Sequence, residues 1–427
     1  MSIFILFIAS LFLINISKYL SHTLMAPTSF LSMYWSVLTT VSLIGTILIY
    51  DWDFNGIIWL YIALIILNIG YFIGSPFSLL LSHRDIREKK VSLERINPSA
   101  WYLLGLLILF GLAKWALQVY TNGFSLSDFL SLENLADMNH EFAVNRYSGN
   151  AETGFIGLII SILNALVYAA PLCGGFVAAY AFTTKQKIIA GISLLPALLV
   201  TITNNTKAGM IGSILLFFSS YYIACFARSK KWKRIYLRTI VYAILGFILF
   251  LSFMIFSMML RIGRLDLGTF SIVMQKLIVY AFGNVQSFDI WLARHYWYES
   301  NTFGSSTFLG LANIAGIAER VQGVYTELSG TSSNVYTVFR GIISDFGIIG
   351  GLLFVGINGF LLRVAINSIH KSYNPVISVT FSSATIFFFT YGMIISPWTY
   401  IAFMVAFCVF LFFVFISYHN SNLENTN

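Results

Sequence analysis

The residues of this chain best suited to chemistry are nine cations: Lys114, Arg146, Lys207, Arg261, Arg264, Lys276, Arg294, Arg320 and Arg340. Six are arginines, whose planar fork matches phosphate oxygens two at a time. A group of them could hold a lipid-linked pyrophosphate and stabilise it as a leaving group. Snorkelling to headgroups and pairing with nearby acids are the plainer roles for the same residues. Arg261 and Arg264 are spaced to share a helical face, and Asp266 follows closely enough to pair with them. Lys207 sits in a short polar turn, Thr203-Asn204-Asn205-Thr206-Lys207. A general base would come from Asp345, Asp266, Glu327 or His295. Asp345 is best placed, five residues after Arg340, with helix N-capping as its competing role. Glu327 and His295 read more readily as ordinary loop residues. No nucleotide-binding glycine loop, no HExxH motif and no Cys/His cluster occurs, so neither a metal nor a cofactor is expected.

These residues must be held by helices in a bilayer. The chain has 427 residues, of which 58% are hydrophobic and only 10% charged. Soluble domains carry about 25% charged residues, so an ordinary soluble enzyme is excluded. The fold expected is all-α, a polytopic integral membrane protein with about eleven spans (10–12) of about 20 residues each. They fall near 2–20, 29–49, 57–81, 99–120, 154–182, 188–204, 209–227, 237–260, 346–368, 376–395 and 398–418. Two short loops, 82–98 and 228–238, are densely basic and belong on the cytoplasmic side. The net charge of +8 then divides unevenly. Inside lie 16 Lys and Arg against 4 Asp and Glu; outside lie 9 against 13. Most of the basic excess is topology, not an invitation to nucleic acid, and the outer cations are the remainder.

The whole chain, 1–427, reads as a single membrane domain with two long outer segments. Segment 121–153 joins the fourth and fifth spans, and segment 261–345 joins the eighth and ninth. Such lengths are unusual for plain connections. Within the second, the apolar run 270–283 is too short to span and reads as interfacial or re-entrant. The stretch 300–333 is loop-like, and short helices are expected around it. The aromatic residues between Trp291 and Phe308 suit either sugar stacking or a membrane-interface belt.

Two patterns within these segments carry a resemblance. Arg146 is followed by ten residues and then Gly157, and Arg340 by ten residues and then Gly351. Both pairs lie where an outer segment enters a span. Ser333-Asn334-Val335-Tyr336-Thr337 precedes Asp345-Phe346-Gly347-Ile348-Ile349-Gly350-Gly351. The paired Arg–ten–Gly spacing resembles the O-antigen polymerase (Wzy) family. The second stretch is similar to the Asn-x-Tyr … Asp-Phe-Gly-x-x-Gly signature of oligosaccharide repeat-unit polymerases. The turn ending in Lys207 stands where such proteins usually carry a Ser-Arg turn.

The resemblance implies a metal-independent, integral-membrane (GT-C-like) glycosyltransferase in a bacterial inner membrane, working on its periplasmic face. Its partners would be two undecaprenyl-pyrophosphate-linked oligosaccharides, donor and acceptor, the membrane lipid itself, and a chain-length co-polymerase. Arg146, Lys207, Arg261, Arg264, Arg340, Asn334 and Tyr336 would bind substrate, and Asp345, Arg340 and Asp266 would serve catalysis. An O-antigen ligase shares the donor, but often places a histidine where this chain has Ser333. A lipid-linked oligosaccharide flippase would be expected to carry mid-span cations and to lack so long an outer segment.

Overall fold

The computed structural model describes residues 3–47, 51–80, 94–125, 154–204, 207–232, 266–294, 296–298, 301–319, 326–328, 331–333, 335–370 and 375–419, with scattered residues between 127 and 142 and between 246 and 262. It is helical apart from one small hairpin. The helices are α1 (Ile3–Ser21), α2 (Pro27–Thr46), α3 (Asn55–Leu80), α4 (Ser99–Thr121), α5 (Gly154–Ala178), α6 (Thr184–Ile192), α7 (Leu195–Asn204), α8 (Lys207–Ser229), α9 (Leu267–Arg294), α10 (Leu309–Ile314), α11 (Val338–Ser368), α12 (Val376–Tyr391) and α13 (Ile401–His419). Strands β1 (Thr326–Leu328) and β2 (Thr331–Ser333) pair antiparallel, Glu327 opposite Ser332, within the stretch expected to be loop. Seven helices among the described residues are long and apolar enough to cross a membrane. This is the build of a multi-pass membrane protein.

The span expected at 188–204 lies within Thr184–Asn204, one of the seven, and a turn at 193–194 divides it into α6 and α7. α6 opens on a capping box, in which Gln186 N–H donates to Thr183 Oγ1 (3.2 Å) and Thr183 N–H to Gln186 Oε1 (3.1 Å). Pro196 in the first turn of α7 has no N–H to continue the preceding helix. The run 270–283 is the front of a 28-residue helix, α9, which is not among the seven long and apolar enough to cross. The helix is longer than the apolar run because Asn284, Gln286, Ser287 and Asp289, which follow it, are buried. The span expected at 237–260 lies largely outside the described residues.

The chain forms two compact units. Unit 1 comprises residues 1–92 and 278–401, and unit 2 comprises 93–277 and 402–427. In unit 1 the axis of the packing is α3 against α11. Gly70 and Gly74 form a small-xxx-small face on α3, the arrangement that lets membrane helices approach closely. A Cβ on Gly70 would lie 2.1 Å from the carbonyl oxygen of Gly356, and one on Gly359 would lie 2.1 Å from that of Leu67. Above this contact, Phe339 of α11 sits among Trp35 (ring centroids 4.9 Å apart), Trp59 (5.6 Å) and Phe288 (6.3 Å). Helix α11 is kinked at Gly347, where φ is 71° and ψ 176°, a conformation L side chains rarely take. α2 presents an unusually polar face to this unit: Thr28, Ser29, Ser32, Ser36, Thr39, Ser42 and Thr46 are all buried.

In unit 2, α5 is the central helix. Its Gly174-Gly175 pair permits close approach, since added Cβ atoms would stand 2.0 Å from Ser193 Oγ and 2.0 Å from the carbonyl oxygen of Phe217. Phe176 stacks edge-on with Phe410 and Phe413 of α13, and the hydroxyls of Tyr180 and Tyr418 share a 2.8 Å hydrogen bond.

The glycine contact in unit 1 is testable by contrast. Gly70→Ala forces backbone to move and should lower stability by about 1–3 kcal/mol, the usual range for overpacking. Gly105→Ala on α4 meets nothing within 4 Å and should be neutral or slightly stabilising. Thermal unfolding of the two detergent-solubilised variants reads the difference.

Candidate functional site

The sequence-derived residues that the structure brings together lie at the start of α11 in unit 1. Residues 335–337 run extended alongside the turn after α12: Tyr336 N–H donates to Ile394 O (2.8 Å) and Val338 N–H to Gly392 O (2.6 Å). This anchors the first turn of a helix that has no capping side chain of its own. One turn on, the Arg340 guanidinium lies 4.1 Å from the ring centre of Tyr336 and 5.1 Å from that of Trp291. At these distances the guanidinium is held by cation–π attraction to both rings. Trp291 is fully buried and is itself braced by Tyr296, edge-on at 5.7 Å. Phe339, beside Arg340, is locked in the aromatic cluster, so the backbone that carries the arginine is fixed.

Asp345 was expected as a base. Its geometry is that of an anchor. The side chain is 1% exposed. Its Oδ1 accepts from Thr302 Oγ1 (2.6 Å) and Ser306 N–H (2.9 Å), and its Oδ2 from Thr307 N–H (2.7 Å). Thr302 N–H adds a bond to Ser344 O (2.9 Å), and Ser396 Oγ donates to Thr307 O (2.6 Å). One carboxylate therefore ties the 302–307 loop onto α11. It is not capping its own helix, as the plainer reading had it. A groove of about 390 Å³ beside it is lined by Asn301, Phe303, Phe346 and Leu353, with little polar surface.

Asp266 is exposed. It caps α9: Thr269 N–H donates to its Oδ1 (2.7 Å), and Phe270 N–H to its carbonyl (3.0 Å). Lys207 is the first residue of α8 and Glu327 lies in β1, but their side chains, like Arg146, Arg261, Arg264, His295 and Asn334 altogether, lie outside the described residues.

One buried charged group escaped the sequence reading. Asp289, fully buried on α9, takes the N–H groups of Asp53 (2.7 Å), Phe54 (2.8 Å) and Gly56 (2.7 Å). It thereby caps α3 from another helix, and Gly56 is required there because a Cβ would stand 2.6 Å from the Asp289 Cα. Burial pushes this carboxyl above the usual range, against the pull of the three N–H donors. Asp53 in turn pairs with Arg294 at 2.9 Å on the surface. A signal for Asp289 existed: a lone acid inside an otherwise apolar helical run. Lys114, one of the nine cations, is buried on α4 in unit 2 and donates to Gln118 Oε1.

Among the described residues no group of three or more His, Cys, Asp or Glu could hold a metal ion. Compared with family models, curated proteins and solved structures, the chain matches none. The fold and the site together define a multi-pass helical membrane protein with an aromatic-braced arginine at the head of one long helix.

Asp345→Asn tests the anchor. The amide keeps one acceptor oxygen but turns an NH2 toward backbone donors. The loss should be about 1–3 kcal/mol for the unsatisfied donor, with faster hydrogen exchange at Ser306 and Thr307. A base with no anchoring role would leave exchange unchanged.

Proposed function

We propose that this protein polymerises lipid-linked oligosaccharide repeat units on the outer face of a bacterial inner membrane. The observation that carries the reading is the Tyr336–Arg340 pair at the end of the long outer segment, within the motif Asn-x-Tyr … Asp-Phe-Gly-x-x-Gly. In the reaction, a hydroxyl at the non-reducing end of the incoming repeat unit attacks the anomeric carbon of the growing chain. The bond from that carbon to the undecaprenyl pyrophosphate oxygen breaks, and the pyrophosphate leaves with the electron pair. Arg340 stabilises the charge that develops on the leaving oxygens. With Asp345 and Asp266 engaged by backbone donors, the acceptor proton passes to a pyrophosphate oxygen or to water, and leaving-group stabilisation supplies most of the catalysis. Arg146, Lys207, Arg261 and Arg264 are further pyrophosphate contacts, and Asn334 a sugar contact. A chain-length co-polymerase acting alongside it sets the polymer length.

Arg340→Ala and Arg146→Ala should each shift surface glycan from long chains to single capped repeat units on a gel of cell-surface material. Normal long chains in both variants would remove the pyrophosphate clamp. Arg340→Lys should rescue little, because a point charge loses the paired N–H contacts and much of the stacking. A deletion strain separates the classes. Single repeat units on the lipid core mean polymerase, accumulated lipid-linked polymer without surface glycan means ligase, and lipid-linked units trapped in the inner leaflet mean flippase.

A further inference from the structure

The groove beside Asp345 is walled by one helix and one loop. Phe346, Gly350, Leu353, Phe354 and Ile357 of α11 line it, together with Phe303 of the 302–307 loop. Phe346 and Phe354 stack at 5.4 Å, and Gly350, between them in sequence, adds no side chain. Leu353 and Ile357 belong also to a stripe, Ile349, Leu353, Ile357 and Leu361, which repeats every fourth residue and is exposed throughout. α11 is one of the helices long and apolar enough to cross a membrane, and an exposed apolar stripe on such a helix faces lipid tails. The groove therefore continues the lipid-facing surface.

The loop is built for the same surroundings. Thr302 N–H donates to Ser344 O (2.9 Å), Ser305 N–H to Thr302 O (3.1 Å) and Phe308 N–H to Gly304 O (2.9 Å). The N–H groups of Ser306 and Thr307 go to Asp345. The hydroxyls of Thr302, Ser305 and Ser306 are bonded within the loop or to Asp345. Backbone that meets lipid must satisfy its polar groups internally, and these groups are so satisfied. What the loop leaves uncovered is Phe303, 85% exposed. Its φ of 47° is rare for a bulky residue, and Gly304 follows at 96°. In water, a strained backbone that leaves a phenyl ring uncovered is unfavourable twice over; in hydrocarbon only the strain remains. A protein partner would call for polar contacts at the rim. The carboxylate of Asp345 is already spent on the loop, and hydrocarbon calls for none.

We propose that Phe303 and this groove seat a hydrocarbon chain of a bilayer lipid, so that the 302–307 loop lies against the membrane at the Arg340 end of α11. The inference needs only the multi-pass build and is independent of the polymerase reading.

The test uses the full chain in phosphatidylcholine nanodiscs, with Cys173, Cys225 and Cys408 replaced by alanine and a spin label on Phe303→Cys. Collision with oxygen, which concentrates in hydrocarbon, is compared with collision with a water-soluble nickel chelate. The oxygen-to-nickel ratio should lie within threefold of that at a labelled Ile357→Cys on the stripe. A lower ratio puts Phe303 in water and overturns the proposal. Access to neither reagent means a covering protein segment, from this chain or a second copy, and overturns it too. Unsubstituted protein gives a second reading in nanodiscs of a phosphatidylcholine with a photoactivatable diazirine in its acyl chain. Adducts mapped by mass spectrometry to Phe303 as well as to Leu353 and Ile357 support the seat; adducts on Leu353 and Ile357 alone overturn it.

Discussion

The close approach of α3 and α11 is the constraint on which unit 1 depends. Backbone meets backbone there: the carbonyls of Gly356 and Leu67 occupy space that a single Cβ on Gly70 or Gly359 would fill. Lipid tails are as apolar as leucine, so helices in a bilayer gain little by hiding leucines from them and much by packing tightly. Once α11 is held to α3, Phe339 falls among Trp35, Trp59 and Phe288, and Arg340 follows from its neighbour. The Trp59 indole N–H completes the link by donating to Ile348 O (3.2 Å), just past the kink.

Carboxylates then do the work that capping residues do in soluble proteins, but across distance. Asp289 caps α3 from α9, and Asp345 secures the 302–307 loop from α11. Each gathers three donors and each is almost fully buried. In a low-dielectric interior an unpaired backbone N–H is costly, so two acidic residues satisfy the ends and loops that α3 and α11 leave open. The described parts of segment 261–345 are thereby joined to the helices: α9 packs its polar-looking second half inside, and the 302–307 loop is tied down.

Much of the architecture was legible in hydropathy. The helices α1, α2, α3, α4, α5, α8, α12 and α13 begin and end close to where apolar runs do. α9 was not, because Asn284, Gln286, Ser287 and Asp289 look like the exit from an apolar stretch and become interior only through partners such as the 51–56 turn, more than 200 residues away in the chain. The site was half legible. Arg340 and Tyr336 stand in the same quoted motif region, and the structure sets the guanidinium 4.1 Å from the tyrosine ring centre, a pairing no spacing argument made. Asp345 was read as the best-placed candidate base, yet its hydrogen-bond partners stand 38 to 43 residues earlier, and no local pattern announces a loop clamp. Gly347 in the same motif has a plain physical reason, the left-handed backbone of the kink. The break between α6 and α7 was hidden because its residues are as apolar as a continuous span.

The stacking of Arg340 has one further consequence. A free arginine surrenders roughly 2 kcal/mol of rotamer entropy when a ligand fixes it. Here Tyr336 and Trp291 have already withdrawn much of that freedom, and the rings that do so are themselves immobilised in the protein interior. Under the proposed function, a pyrophosphate arriving at this guanidinium would meet a side chain whose direction was settled during folding, and trimming Trp291 would weaken its binding by returning the arginine to its many conformations.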